Sequence, residues 1–571
     1  MKTISFVALI IFLTGLFGYL NNLPQDVGLD VPDGKLNSLS FAPFREGQGP
    51  LDAVFPTIAE VEEDMQLMGQ KTHTIRTYAS SEGTMPALSP LAKKYGLNML
   101  QGAWLGMVDP VKGDLDNQEE VNALIKAANT YPDVIKRVIV GNEVLLRGDL
   151  KPEQLVEYIR AVKRAVKQPV SYADVWSMYM KYPQLIKEVD FITIHILPYW
   201  EDEPIAVEAA PAHIERIYKQ VQKEANAIKP GVPILIGESG WPGAGRQRGY
   251  AVPSVVNEAK FIRGLIKVAK DNGFDVNIVE ALNQSWKSEL EGVVGANWGL
   301  YSVDRQEVFP LTGPVYEHPH WLREKLIAIG LFLVTVGLFW KHLQALPALP
   351  LFGLLAFTQL LWVLWVNQVG HLWYTSYSDW QRLQTLLLVG INVLLGGFIV
   401  QYVYALLRKQ ALNLNIGKWF NLLYWLVIAY ALYKAYCFAT YSRYVSFPTE
   451  ATSIAVVGVI GLMLASFLTS LPKAWPAFNL AALPGGFEFK SHYHRLIGIT
   501  LLSLGVLMMA EEIRAFVESR DFTADHPEFS DRLRLAVSFT LKNKQLLAWL
   551  FSIGILALPL LRSKKSVLPS A

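Results

Sequence analysis

The stretch Pro233-Ile234-Leu235-Ile236-Gly237-Glu238-Ser239-Gly240-Trp241-Pro242 decides how the soluble part of this chain folds. It is an apolar run of strand length that delivers a glutamate at its C-terminal tip and then breaks at Gly-Trp-Pro. Upstream, Arg137-Val138-Ile139-Val140-Gly141-Asn142-Glu143 repeats the device. Working outward, six more β-rich runs appear at Leu39–Pro43, Thr74–Tyr78, Asn98–Trp104, Val170–Asp174, Phe191–Ile196 and Val276–Ala281. Amphipathic helical stretches separate them, at Ile58–Met68, Ser89–Lys94, Gln118–Thr130, Pro152–Lys167 and Val255–Asn272. Eight strands alternating with helices predict an α/β fold, a (β/α)8 TIM barrel, with a doubly wound open sheet as the competitor. The barrel reading places the chemistry at the C-terminal ends of the strands.

Composition says that the barrel is half the story. The 571 residues are 51% hydrophobic and only 18% charged, against about 25% charged in ordinary soluble chains. The excess is localised. One apolar run lies at 4–20, and seven more lie at 326–340, 346–366, 383–407, 419–438, 451–471, 495–510 and 546–561. Runs near ~20 residues suit bilayer-crossing helices. The division expected is a transmembrane anchor at 1–22, an extracytoplasmic catalytic domain at 23–322, and a polytopic α-helical membrane domain of about seven helices at 323–571. The first run is longer than the usual core of a cleaved signal peptide, and no small-x-small site follows it. An uncleaved anchor is therefore expected, with a signal peptide as the alternative.

Basic residues gather in the loops expected inside, at Lys341, Arg408, Lys409, Lys418, Lys473, Lys490 and Arg495, and in the tail at Arg562, Lys564 and Lys565. By the positive-inside rule this predicts a multi-pass protein of the inner (cytoplasmic) membrane with the barrel facing the periplasm or outside. The formal net charge of +2 gives no field to attract nucleic acid. The single cysteine, Cys437, rules out a disulfide framework and cysteine-rich metal centres. No metal site and no cofactor are expected: Gly243-Ala244-Gly245 runs into Arg246-Gln247-Arg248 and lacks the Lys-Ser/Thr of a phosphate loop.

Glu143 and Glu238 close the fourth and seventh predicted strands. An apolar strand end is a costly place for a lone carboxylate, so the pair reads as functional. Carboxyls about 5–5.5 Å apart suit retaining glycoside chemistry, with one protonated acid and one ionised nucleophile. Mutual repulsion helps to separate their titrations. Capping of the following helices is the alternative for either glutamate alone.

Val140-Gly141-Asn142-Glu143-Val144 and Gly237-Glu238-Ser239-Gly240-Trp241-Pro242-Gly243-Ala244-Gly245 together resemble glycoside hydrolase family 17, the β-1,3-glucanase-like enzymes, over about 39–312. With the helices added, the arrangement resembles the membrane-bound bacterial members described as β-(1,6)-glucan synthases. The resemblance implies Glu143 as acid/base, Glu238 as nucleophile and Asn142 as holder of the sugar 2-hydroxyl. It also implies Tyr199 as a hydrogen-bond partner of the nucleophile.

Several residues near strand ends are further candidates. Arg76 closes the second strand and can stabilise the nucleophile carboxylate. Trp104, Trp176, Trp200, Trp241 and Trp286 are candidate sugar platforms, because rings pack against the C–H faces of sugars; core packing is the alternative for each. Glu280 and Lys287 are candidates for sugar hydroxyls.

Seven extra spans exceed what a degradative enzyme needs. The expectation is a transglycosylase or β-glucan synthase, building or branching β-1,3/β-1,6-glucan through a glucosyl-enzyme. The alternatives are a membrane-anchored endo- or exo-β-1,3-glucan hydrolase with the same pair, and a non-enzymatic glucan-binding transport or scaffold protein. Expected partners are a β-glucan donor and acceptor, the lipid bilayer, and a membrane partner in glucan synthesis or export.

Overall fold

In the computed structural model, which describes residues 2–109, 113–410, 414–440, 442–470 and 491–561, eight parallel strands close into a barrel in simple sequence order. They are β1 (Leu36–Ser40), β2 (Thr72–Arg76), β3 (Asn98–Ala103), β4 (Ile135–Asn142), β5 (Val170–Val175), β6 (Ile192–His195), β7 (Ile234–Ser239) and β8 (Asp275–Ile278). Closure comes from β1 against β8, through Leu39 and Ile278, and this excludes the open doubly wound sheet.

Helices form at the five stretches that the periodicity predicts, and also where it predicts none: Trp176–Lys181 and Leu185–Glu188 between β5 and β6, and Ala210–Ile228 between β6 and β7. Thr57 and Glu60 form a reciprocal capping box at the start of Ile58–Lys71, satisfying amides that the first turn leaves without partners. Ser254 caps Val255–Asn272, and Gly273 ends it in the left-handed region (φ 70), which glycine adopts without a Cβ penalty.

Three strands, β1, β2 and β8, end two or three residues short of the sequence reading. β8 stops at Ile278 because the chain beyond it pairs elsewhere: Glu280 N donates to Trp298 O, and Asn283 N to Tyr301 O. β1 and β2 begin and end a few residues earlier than the apolar pattern implies, so Phe41, Thr77 and Tyr78 lie past the strands at the barrel mouth.

Two compact units make up the chain: Pro24–Glu317, which holds the barrel, and Met1–Leu23 with His318–Ala571. In the second unit, each of the seven C-terminal apolar runs falls in a long helix: Trp321–Leu338, Ala348–Tyr374, Asp379–Arg408, Leu414–Thr440, Thr449–Ser470, Ser491–Val517 and Lys544–Leu561. Among the described residues, seven helices are long and apolar enough to cross a membrane, Lys2–Leu20 among them. Trp321–Leu338 is not one of them, since Arg323, Glu324 and Lys325 crowd its first turn. Between the last two of these long helices lie two shorter ones, Arg520–Asp525 and Phe529–Lys542. Phe516, Phe522, Ala536 and Phe539 form a small core there. Lys473, Lys490, Arg562, Lys564 and Lys565, used in the charge argument, lie outside the described residues.

Candidate active site

The strand register slips at four places: between Met99 and Leu100, between Ile139 and Asn142, between Ile194 and His195, and between Ile236 and Ser239. The last three lie beside side chains of the site. Irregularities of this kind re-aim side chains at barrel rims. Glu143 follows β4 in a left-handed conformation (φ 53, ψ 27), after Gly141 at φ 84. Such a backbone costs a non-glycine residue of the order of 1–3 kcal/mol. Neighbours hold it in place: Glu143 N donates to Ala173 O (2.8 Å), and Leu145 N to the Tyr172 hydroxyl (3.0 Å).

Glu143 and Glu238 meet at the mouth with His195 between them. One oxygen of each carboxyl and a ring nitrogen of His195 all lie within 4.8 Å of one another. His195 Nδ1 is 2.8 Å from Glu143 Oε1, and Nε2 is 3.5 Å from Glu238 Oε1. A carboxylate separation this short fits double displacement. It leaves no room for the water that an inverting enzyme places across about 6.5–9.5 Å.

Arg76 ties the pair's surroundings together. Its Nη1 donates to Glu238 Oε1 (2.8 Å) and to Gly237 O (2.8 Å), and its Nη2 donates to Asn142 Oδ1 (2.6 Å). The guanidinium also lies over the Tyr78 ring, 4.7 Å from its centroid. One fork thus fixes the nucleophile candidate and orients the Asn142 amide, a task for which a planar, permanently charged group is suited.

Burial pushes the Glu238 carboxyl up. The charges of His195, Arg76 and Lys287 outweigh it and hold the group below the ordinary carboxylate value. Lys287 pairs with both oxygens of buried Glu280, at 3.0 and 2.8 Å. Burial works to lower the Lys287 ammonium, but Glu280, Glu291 and Glu238 outweigh it and raise it, so it is a permanent positive charge. Asp174, at the end of β5, is pushed up to about 6, chiefly by burial, with the Glu143 charge adding and the Tyr172 hydrogen bond opposing.

Glu143, His195 and Glu238 are also donors of the types that hold a cation. The Arg76 guanidinium on Glu238 and the charge of Lys287 already compensate this cluster, which favours a carboxylate pair poised for acid–base work.

The structure brings Arg76, Asn142, Glu143, Glu238, Glu280 and Lys287 into one network. The aromatic candidates divide. Trp104 follows β3 and is 40% exposed. Trp176 opens the helix after β5 and is half-buried. Trp200 is half-buried and stacks on Trp298 (6.4 Å, 22°). Trp286 is half-buried, with its indole N–H on Gln284 Oε1 (2.9 Å).

Two assignments are corrected. Trp241 is 0% exposed. Its indole N–H is bound to Val252 O (2.9 Å) and its ring packs on Phe261, so it is core and offers no face to a sugar. The Tyr199 hydroxyl donates to Arg246 O (2.5 Å) and braces the loop after β7; the Tyr78 hydroxyl, beside Arg76, donates to Ser40 Oγ (2.9 Å). His195 and Tyr78 were missed by sequence reasoning. Applied to β6, the same strand-end logic picks out His195.

Comparison with known proteins agrees with this geometry. A family profile described as the BtgE/BtgC glycoside hydrolase domain matches residues 38–299. The glucan 1,3-beta-glucosidase of Schizosaccharomyces pombe is 30% identical over 257 residues, spanning 42% of this chain and 76% of its own length. That of Arthroderma benhamiae is 28% identical over 268 residues, spanning 44% and 83%. A solved structure of a glycoside hydrolase family 17 β-1,3-glucanosyltransferase from Rhizomucor miehei is 27% identical, covers 48% of this chain and 95% of its own, and gives a TM-score of 0.41. The chain belongs to glycoside hydrolase family 17 and is an enzyme.

Proposed function

We propose that the protein is a retaining β-1,3-glucan-active transglycosylase integral to a membrane, with the barrel on the non-cytoplasmic side, building or branching β-1,3/β-1,6-glucan. The close approach of Glu143 and Glu238 around His195 carries the reading; the names of the fungal relatives supply the substrate class.

In the first step ionised Glu238 attacks the anomeric carbon while Glu143 gives its proton to the departing glycosidic oxygen. The anomeric C–O bond breaks and a glucosyl ester forms on Glu238. The charges of His195, Arg76 and Lys287 keep Glu238 ionised for this attack. The carboxylate of Glu143 then takes a proton from an acceptor hydroxyl, the new C–O bond forms, and the Glu238 ester bond returns its electron pair to the carboxylate. With a sugar hydroxyl as acceptor the outcome is transfer; with water it is hydrolysis. Asn142, oriented by Arg76, is positioned to hold the 2-hydroxyl, a contact that strengthens at the transition state.

Transfer is favoured by the helical body, since a purely degradative enzyme has no need of seven apolar helices. The glucosidase names of the relatives favour hydrolysis as the second reading. The purified full-length protein, incubated with a β-1,3-gluco-oligosaccharide, separates the two: products longer than the donor, or carrying 1,6 bonds, support transfer, and only shorter fragments refute it.

A further inference from the structure

We infer that Trp104, backed by Arg147, forms the acceptor platform of this site and sets how the glucosyl-enzyme divides between a sugar and water. The inference rests on the reading of Glu143 as acid/base.

Arg147 lies one helical turn past Glu143. Its Nη1 donates to the carbonyl of Asn142, its Nη2 to Leu105 O (2.9 Å), and its Nε to Asp149 Oδ2 (2.7 Å). Its guanidinium lies over the Trp104 ring, 4.4 Å from the centroid. One side chain therefore joins the peptide that carries Glu143 to the ring at the end of β3.

The ring is held from behind as well. Buried Glu120 accepts from Trp104 N (3.1 Å), Ser80 N (2.5 Å) and Ser81 N (2.8 Å). Two residues on, Gly106 exchanges hydrogen bonds with the Asn117 amide at 2.8 and 3.0 Å. Trp104 is nevertheless 40% exposed. A large aromatic face fixed by a buried carboxylate on its backbone and a cation on its ring, yet left open to solvent, is preorganised for a ligand.

Chemistry assigns the side. The acid/base serves the leaving oxygen in the first step and the incoming hydroxyl in the second, so the acceptor must lie where Glu143 can reach its proton. Two aromatic residues are tied to the Glu143 segment, and Tyr172 is buried whereas Trp104 is exposed. A sugar stacked there brings a hydroxyl to Glu143 Oε, loses its proton to that oxygen, and forms the new bond to the anomeric carbon as Glu238 leaves. Arg147 is a positioning residue for Glu143 and for the ring.

The test uses full-length enzyme with an aryl β-glucoside donor and a β-1,3-gluco-oligosaccharide acceptor. Aryl release counts glucosyl-enzyme formed, and free glucose counts hydrolysis. Trp104→Ala is expected to lower the transfer-to-hydrolysis ratio about tenfold, with a matching rise in the acceptor concentration for half-maximal transfer. An unchanged ratio, with or without a changed donor KM, overturns the inference. Wild type that never transfers would instead sink the transglycosylase reading. Arg147→Ala is expected to slow an oligosaccharide donor, whose leaving oxygen needs a proton, about tenfold more than a nitrophenyl donor, which needs none. Arg147→Lys should recover part of that gap. Equal losses on both donors would show a merely structural role.

Discussion

The barrel and the helical unit both bury polar side chains, but in opposite ways. At the barrel mouth Arg76, Asn142, Glu143, His195, Glu238, Glu280 and Lys287 converge, each touching charged neighbours. In the helical unit buried amides meet backbone carbonyls. Asn392 donates to Leu388 O and Ala451 O, and Gln368 donates to the same Ala451 carbonyl. Convergent charge raises local fields and moves titrations, which is what a catalytic site needs. Amides on backbone carbonyls join one helix to the next and do little else.

The comparison can be broken by mutation. The largest effect is expected at the carboxylates. Glu238→Gln should lower kcat by more than about a thousandfold, and Glu143→Gln by about 10²–10⁴-fold; an external anion such as azide rescues the latter when the donor has a good leaving group. Near-wild-type turnover by either variant would remove the barrel mouth as the seat of chemistry.

Next comes Arg76→Gln. Loss of the guanidinium leaves buried Glu238 with less positive charge, so its carboxyl rises. The acidic limb of the kcat/KM profile should then move to higher pH; an unmoved limb would show that Arg76 does not hold Glu238 ionised.

A smaller effect is expected at Glu258, which is buried and raised well above the ordinary carboxylate value by burial, with Glu317 and Glu280 adding. Below the unfolded carboxylate range both states hold the proton. As pH climbs past it, only the unfolded chain ionises, so stability falls until the folded value is reached. Glu258→Gln cannot ionise, and it should gain Tm over wild type at pH 7 more than at pH 4. An equal difference at both would contradict the burial account.

The smallest effect belongs to the helical unit. Asn392→Leu should cost roughly 0.6 kcal/mol, the usual worth of such a bond between apolar helices, and leave aryl-glucoside turnover unchanged. A collapse of activity would give the helices a role in the chemistry.

Much of this was legible in the sequence, because a barrel strand writes itself as an apolar run and its functional tip as the polar residue that ends it. Glu143, Glu238 and Arg76 all obey that rule. His195 obeys it too, yet a histidine after Ile192-Thr193-Ile194 reads equally as core. What stayed illegible depends on where rings turn. Trp241 and Trp104 both follow a strand by one or two residues. Only the packing of Phe261 and the Val252 carbonyl in one case, and the Arg147 contact in the other, separates core from platform. Tyr199 misses its expected role for the same reason: the Arg246 carbonyl that captures its hydroxyl lies 47 residues away in the chain.

The central claim is that Glu238 carries the glucosyl group. Full-length protein treated with a 2-deoxy-2-fluoro-β-glucosyl fluoride, which forms the ester quickly and releases it slowly, should gain one fluoroglucosyl mass, and peptide mapping should place it on Glu238. An adduct on any other residue, or turnover of the fluoride to the α-anomer with no adduct, would contradict the account.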